Sequence, residues 1–347
     1  MIKVKISIPH YSEKDINIFN FTNDTENIFN NKIYHINSKV DQVDYWFVLE
    51  NVSNTKDYID TEVRNNNIFY LSSDTSRNDD YFFSKSKVSF FNQFKKVFSS
   101  SYIHLDNVIN TPPFTNWRLR GDPFVDYFDT SDIVYYKNLN PKKTKLLSVY
   151  CTDKQITSIQ KVRFEFVKKL KNYFGEDLDW FGSGIKETKS KEDGILNYKY
   201  HLVLENQYRH NTFSEKLFDS FLGNSLPIYF GAPNLIDHFN QKSYLQLNLN
   251  DYGDSLKKIN QIINSDEYEK SYDHLIQAKD TVLEKFNIIK RIDNIIENLE
   301  DENATKYEIK RIYNKRYFES NSKTSKLAYS FDKRLLKLSN KLKDKYT

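Results

Sequence analysis

The sequence is poor in the residues on which several kinds of site depend. Its 347 residues include one cysteine, Cys151, so neither an intrachain disulfide nor a cysteine-based metal site can form. Eight glycines are too few and too scattered for nucleotide-binding fingerprints. The stretch from Ser7 to Glu13, after the first strand, holds none, which excludes a GxGxxG turn, and no P-loop occurs anywhere. Seven histidines show no HExxH or other metal-ligand spacing. No apolar run approaches the roughly 18 residues that a membrane span requires. Residues 1–9 alternate apolar and polar as a strand does and lack the continuous apolar core of a signal peptide. The expectation is a soluble cytoplasmic protein, with a peripheral place at the inner face of the cell membrane as the variant.

What is present is a rich supply of core residues. Hydrophobic residues make up 39% and aromatics 16%, with 26 Phe and 25 Tyr, which excludes a disordered chain. The length suggests about two domains. The net charge of +4 hides an asymmetry: from residue 305 onward, 13 Lys plus Arg face 4 Asp plus Glu, so the tail carries +9 and the rest −5. A mildly acidic body with a basic tail excludes a nucleic-acid binder that uses its whole surface, and the tail carries no recognition motif of that kind.

Residues 1–140 show an α/β pattern. Ile2, Val4, Ile6 and Ile8 alternate along a first strand, while Tyr45–Leu49 and Ile68–Leu71 are short continuous apolar runs of the buried parallel kind. The polar stretch 138–144, with Pro141, is the candidate linker. A second α/β unit comes next. It has a strand at 145–151, a helix at 156–174 and a strand end with a glycine turn at 179–184. Next come a strand at 198–204, a helix at 214–222 stopped by Gly223, and a strand at 227–230. On the first helix Ile159, Val162, Phe166, Val167, Leu170 and Phe174 form one apolar face. Strand, helix, strand in this order means right-handed parallel crossovers. Residues 255–300 are helical. The expected domains are therefore 1–140, 145–300 and a basic tail at 301–347.

The chemistry concentrates at 198–233. A buried strand ends at Glu205 and Asn206, where side chains emerge at the carboxyl edge of a sheet, the ligand edge of open α/β folds. After a polar loop, Ser214 is a natural N-cap, with Glu215 and Lys216 in the first helical turn. The positive helix end and Lys216 suit a phosphate, and Glu215 could accept ribose hydroxyls, so the segment fits a nucleoside diphosphate. Capping alone would also explain Ser214 and Glu215, since acidic residues stabilise any helix start.

The longer string resembles the donor-binding motif of the α-1,3-fucosyltransferases, glycosyltransferase family ten. Glu205 and Asn206, then Ser214, Glu215, Lys216 and Leu217, then Leu226, Pro227, Ile228 and Tyr229, then Gly231, Ala232 and Pro233 stand in the family's order. Lys242, Ser243 and Tyr244 resemble the family's next element, a Ser-Phe pair. Two departures stand out. Thr212 and Phe213 replace the family's Tyr-Val, so an aromatic hydroxyl near the donor is missing or comes from Tyr208, and Gln207 replaces a Ser or Thr. The resemblance implies two Rossmann-like domains facing a cleft, the GT-B type, with donor binding by Arg163, Glu205, Asn206, Ser214, Glu215, Lys216 and Tyr208. Arg163 matches the family's arginine early in the first helix of the donor domain.

The resemblance further implies inverting transfer of fucose from GDP-fucose to a hydroxyl of a glycan, such as a surface polysaccharide, a lipopolysaccharide-type chain or a lipid-linked precursor. A carboxylate must accept the hydroxyl proton. The family's Phe-Glu-Ser-Pro context points to Asp74, just past the strand Ile68–Leu71, with Glu50 at the end of Tyr45–Leu49 as the alternative. Fixed cations can stabilise the departing diphosphate, so no cofactor or essential divalent metal is expected. Another nucleotide sugar on the same scaffold, or a non-catalytic glycan- or membrane-binding protein, are the competing readings. In the tail, Leu327, Phe331, Leu335, Leu338 and Leu342 make an apolar stripe flanked by basic residues. Such a helix at 325–342 could lie on an anionic membrane or pack on the body, and the sequence leaves both open.

Overall fold

The computed structural model describes residues 1–9, 27–73, 85–100, 105–120, 133–299 and 306–321. The described residues divide into two compact units: the first takes in those up to Phe114 and again those from Ile296 onward, and the second those from Thr115 to Ile295.

The first unit is built on strands β1 (Ile2–Ser7), β2 (Ile28–Phe29), β3 (Lys32–Ile36), β4 (Gln42–Val43), β5 (Tyr45–Leu49), β6 (Tyr58–Arg64), β7 (Ile68–Leu71), β8 (Lys96–Ser99) and β9 (Val108–Asn110). Seven of them form one sheet in the order β2-β3-β1-β5-β7-β8-β9. Every neighbouring pair in it is parallel except β2 with β3. The apolar runs of β5 and β7 are buried throughout β7 and over the last four residues of β5, as strands covered on both faces must be. Tyr70, Phe90, Phe91 and Phe94 pack ring against ring beneath the sheet at centroid distances of 5.2–6.0 Å. The strict alternation of β1 predicts one solvated face, but Lys5 is buried. Its ammonium donates to Thr61 Oγ1 at 2.6 Å and lies over the Trp46 ring, and burial lowers its pKa to about 8.

The second unit is built on β10 (Lys145–Tyr150), β11 (Leu178–Phe181), β12 (Tyr198–Leu204), β13 (Leu226–Phe230) and β14 (Leu245–Gln246), all parallel, in the order β11-β10-β12-β13-β14. Helices Ser158–Phe174 and Glu215–Leu222 make the crossovers, and helices Tyr252–Ile263, Glu267–Lys285 and Ile288–Glu297 come after the sheet. Both units are thus Rossmann-like α/β layers.

Two expected boundaries move. The polar stretch 138–144 is no linker: it lies inside the second unit, where the Lys143 ammonium donates to Leu196 O, Gly223 O and Ser225 Oγ at 2.6–3.1 Å. The chain changes units at 114/115 instead, just past Pro112 and Pro113. Nor do the described residues of the expected tail, 306–321, form a separate helical unit. Strand β15 (Tyr307–Tyr313) pairs antiparallel with β6 along seven residues, in a small sheet ordered β15-β6-β4. The physical reason is that β6 otherwise leaves a row of unpaired backbone groups on that side. The stripe at 325–342 lies outside the described residues, and among the described residues no helix is long and apolar enough to cross a membrane.

Candidate active site

The order of the second sheet reverses at β10, which pairs with β11 on one side and β12 on the other. Loops leaving neighbouring strands in opposite directions open a crevice beyond their carboxyl ends at such a point. A cavity of about 250 Å³ lies there. It is lined by Tyr150, Cys151 and Thr152 from the end of β10, by Leu204 and Asn206 from the end of β12, and by Arg163, Glu215 and Lys216 from the two crossover helices.

Arg163 reaches it from helix Ser158–Phe174, whose start is fixed by a capping box between Thr157 and Gln160. The apolar face differs from the expected one. Val162 is 39% exposed, whereas Arg163 is only 7% exposed and shares the buried face with Phe166, Val167 and Leu170. Its Nη1 donates to Asn206 Oδ1. Its Nε is buried with no hydrogen-bond partner among the described residues. An orphaned guanidinium N–H is costly unless a ligand oxygen takes it.

Lys216 is placed by the β12 exit. Glu205 is buried, its N–H bonded to Phe230 O, and its carboxylate accepts from Ser214 N at 2.7 Å and Ser214 Oγ at 2.8 and 2.9 Å. Ser214 caps helix Glu215–Leu222, as its sequence predicts. The Lys216 ammonium donates to Ser214 Oγ at 3.0 Å and lies 3.3 Å from Glu215 Oε1 and 3.7 Å from Glu205 Oε2. Burial opposes its charge, but Glu215 and Glu205 outweigh burial and raise its pKa. Burial likewise opposes the Glu215 carboxylate, yet Lys216, Lys191 and Arg118 hold it well below the usual range. Gly231 explains the Gly-Ala-Pro turn: a Cβ there would strike the Tyr229 hydroxyl and come within 2.7 Å of Glu205 Cγ.

The cavity extends inward to residues that sequence reasoning missed. Lys191, on the short turn Lys191–Gly194, pairs with Asp219 at 2.7 Å and with Glu215 at 4.0 Å. Asp219 also accepts from Arg118 N at 2.7 Å, and its burial raises its pKa to about 6, with Lys191 opposing. The spacing of Glu215 and Asp219, four apart on one helix, was a signal. Nothing local pointed to Lys191. Arg118, Lys154, Arg163, Lys191 and Lys216 line the cavity against two carboxylates, Glu215 and Asp219, so its walls are net positive.

Of the expected donor residues, Arg163, Asn206, Glu215 and Lys216 come together on the cavity wall. Glu205 and Ser214 stand behind it and hold Lys216. Tyr208 does not line the cavity: it is 61% exposed and stacks on Phe230 at 5.7 Å. Phe213 is buried against Phe218, His238, Phe239 and Phe286. In the first unit, Glu50 ends β5 with φ 65°, a left-handed conformation rare for a side-chain-bearing residue. Its carboxylate accepts from Tyr70 Oη, Ser72 Oγ, the Ser73 N–H and Lys315 Nζ, the last at 3.0 Å. Asp74 lies outside the described residues. Among the described residues no cluster of His, Cys, Asp and Glu could hold a metal.

The sequence model of glycosyltransferase family 10 (fucosyltransferase), C-terminal part, matches residues 140–314, just over half of the chain. The curated alpha-(1,3)-fucosyltransferase FucT of Helicobacter pylori is 30% identical over 71 residues, which is 19% of this chain and 15% of that protein's length. A crystal structure of an alpha1,3-fucosyltransferase with GDP covers 86% of this chain and 91% of its own at 15% identity, with a TM-score of 0.49. One with GDP-fucose covers the same shares at 15% identity and a TM-score of 0.45.

Proposed function

The chain belongs to glycosyltransferase family 10 (fucosyltransferase), and from that premise we propose that it transfers fucose from GDP-fucose to a hydroxyl of a glycan acceptor, with inversion at the anomeric carbon. The observation that carries this is the buried, partnerless Nε of Arg163 in the same cavity wall as the charged Lys216 ammonium. As the sugar–oxygen bond breaks, negative charge grows on the departing diphosphate. A guanidinium fork aimed by Asn206 and an ammonium aimed by Glu205 and Ser214 meet that charge without reorganising. Glu215, flanked by two lysines, stays ionised and can accept a ribose hydroxyl. The acceptor proton passes to a carboxylate, for which the family resemblance assigns Asp74.

Arg163→Ala and Lys216→Ala should each weaken GDP binding about tenfold or more in calorimetry, with unfolding temperatures near wild type. Unchanged GDP affinity in both variants would remove the assignment. GDP should outcompete UDP and CDP. A preference for UDP would favour the second reading, another nucleotide sugar, which Thr212 at the family's tyrosine position and the exposed Tyr208 support, because the loop then lends no phenolic hydroxyl to the cavity. With fixed cations in place, transfer should persist in excess EDTA; loss reversed by Mn²⁺ would show that a metal is needed.

A further inference from the structure

The inner end of the cavity contains a histidine that no part of the proposed chemistry uses. His201 is on β12, three residues before its end, or roughly 10 Å back from the carboxyl edge at the rise of a strand. It is 3% exposed and directly in register with Ser148 of β10. Ser148 Oγ lies 2.8 Å from His201 Nδ1 and 2.6 Å from Gly194 O.

These two distances fix the tautomer. A serine hydroxyl has one proton, and a carbonyl oxygen can only accept, so that proton goes to Gly194 O. Ser148 Oγ must then accept from His201, which puts the imidazole proton on Nδ1 and leaves Nε2 as a bare acceptor. Burial, with Lys191 and Lys143 adding to it, lowers the imidazole pKa to about 3, so the ring is neutral at physiological pH. Among the described residues no hydrogen bond engages Nε2. The packing beside it is close: a Cβ on Gly194 would run into the Tyr150 ring.

The surroundings suit a flat ring. Val203 lies on the same face of β12 by strand alternation, Ile195 and Tyr150 line the cavity beside it, and the Tyr150 and His201 rings are 6.0 Å apart. We infer that His201 is a specificity-determining residue whose Nε2 accepts an N–H of the nucleobase, with Ser148 as the positioning residue that sets its tautomer. This rests on the diphosphate reading of Arg163 and Lys216: with the diphosphate at the carboxyl edge, the base is the part of the donor that reaches this depth.

Titration calorimetry of GDP, base-less ribose 5-diphosphate and inorganic pyrophosphate tests it. In His201→Leu, GDP affinity should fall about five- to tenfold, the size of one neutral hydrogen bond, while the two base-less ligands bind as to wild type. Ser148→Ala keeps the histidine but frees its tautomer, so GDP affinity should fall about threefold with pyrophosphate unchanged; it serves if His201→Leu does not fold. An unchanged GDP affinity, or equal losses for GDP and pyrophosphate, would overturn the inference while leaving the diphosphate site standing. A loss shared by GDP and ribose 5-diphosphate but not pyrophosphate would move the contact to the ribose and overturn it too. If the wild type binds neither GDP nor pyrophosphate, the diphosphate reading fails and this inference falls with it.

Discussion

The two units place a glutamate at the same point of similarly wound sheets and hold it in different ways. In each, the first strand pairs in parallel with a later strand on either side, β1 with β3 and β5 and β10 with β11 and β12, and a glutamate comes directly after the later of the two: Glu50 after β5 and Glu205 after β12. Glu205 is clamped by its own βα loop, through Ser214 and Lys216, 9 and 11 residues on. Glu50 is clamped by Tyr70, Ser72 and Ser73 from the neighbouring strand and by Lys315 from a helix 265 residues away. Glu205 is sealed at 1% side-chain exposure and Glu50 is open at 19%. A carboxylate at a strand end is therefore not by itself a reacting group. Both of these act first as clamps on the loops around them, and the local clamp is the one that delivers a cation to a cavity.

The largest expected effect tests whether Glu50 is only a clamp. If Asp74 is the base, Asp74→Asn should lower transfer by about 10²- to 10⁴-fold with GDP affinity unchanged. Glu50→Gln should cost far less, because its carboxylate already accepts from four residues and serves to hold the β7 exit. Kinetics of the two variants on one acceptor decide it: a Glu50→Gln loss that equals or exceeds that of Asp74→Asn would make Glu50 the reacting carboxylate and break the parallel with Glu205.

The same contrast explains what was legible in the sequence. Strands β5, β7, β10, β12 and β13 were visible because buried parallel strands are continuous apolar runs. The Ser214 cap, Glu215 and Lys216 were visible because the whole clamp lies within a dozen residues and has a helix-start signature. Arg163 was found, but on the wrong face: Val162 is the more hydrophobic neighbour, yet it is the guanidinium that turns inward, where Asn206, just past β12, accepts from it. Lys191 with Asp219, Ser148 with His201 and Lys315 with Glu50 were not legible. Each pairs residues 28 to 265 apart, which only the folded sheet brings together. The displaced boundary at 138–144 has the same cause, since the polar look of that stretch conceals the buried Lys143 ammonium. Strand β15 escaped notice because its partner β6 lies far back in the chain, Tyr307 opposite Arg64, and a basic composition masks it.

A smaller effect sharpens the comparison in energetic terms. Glu205→Gln removes the charge that two donors of Ser214 and Lys216 share in a site closed to water. It should lower unfolding stability by about 2–3 kcal/mol, read as a shift in the urea midpoint at constant slope. Glu50→Gln should cost only about 1 kcal/mol, because its carboxylate is partly solvated and the Lys315 side chain, 38% exposed, can turn to water. That difference is itself testable by a double-mutant cycle. Lys315 is close to both Glu50 and the Tyr70 ring, so Lys315→Met loses packing as well as charge, and only the non-additive part belongs to the ion pair. That coupling should be about 0.5–1 kcal/mol and should shrink in 1 M salt, where exposed charges are screened over about 3 Å. A coupling above that of a buried pair and insensitive to salt would mean that the long-range clamp is as tightly closed as the local one. The ranking of the two glutamates would then rest on something other than their exposure.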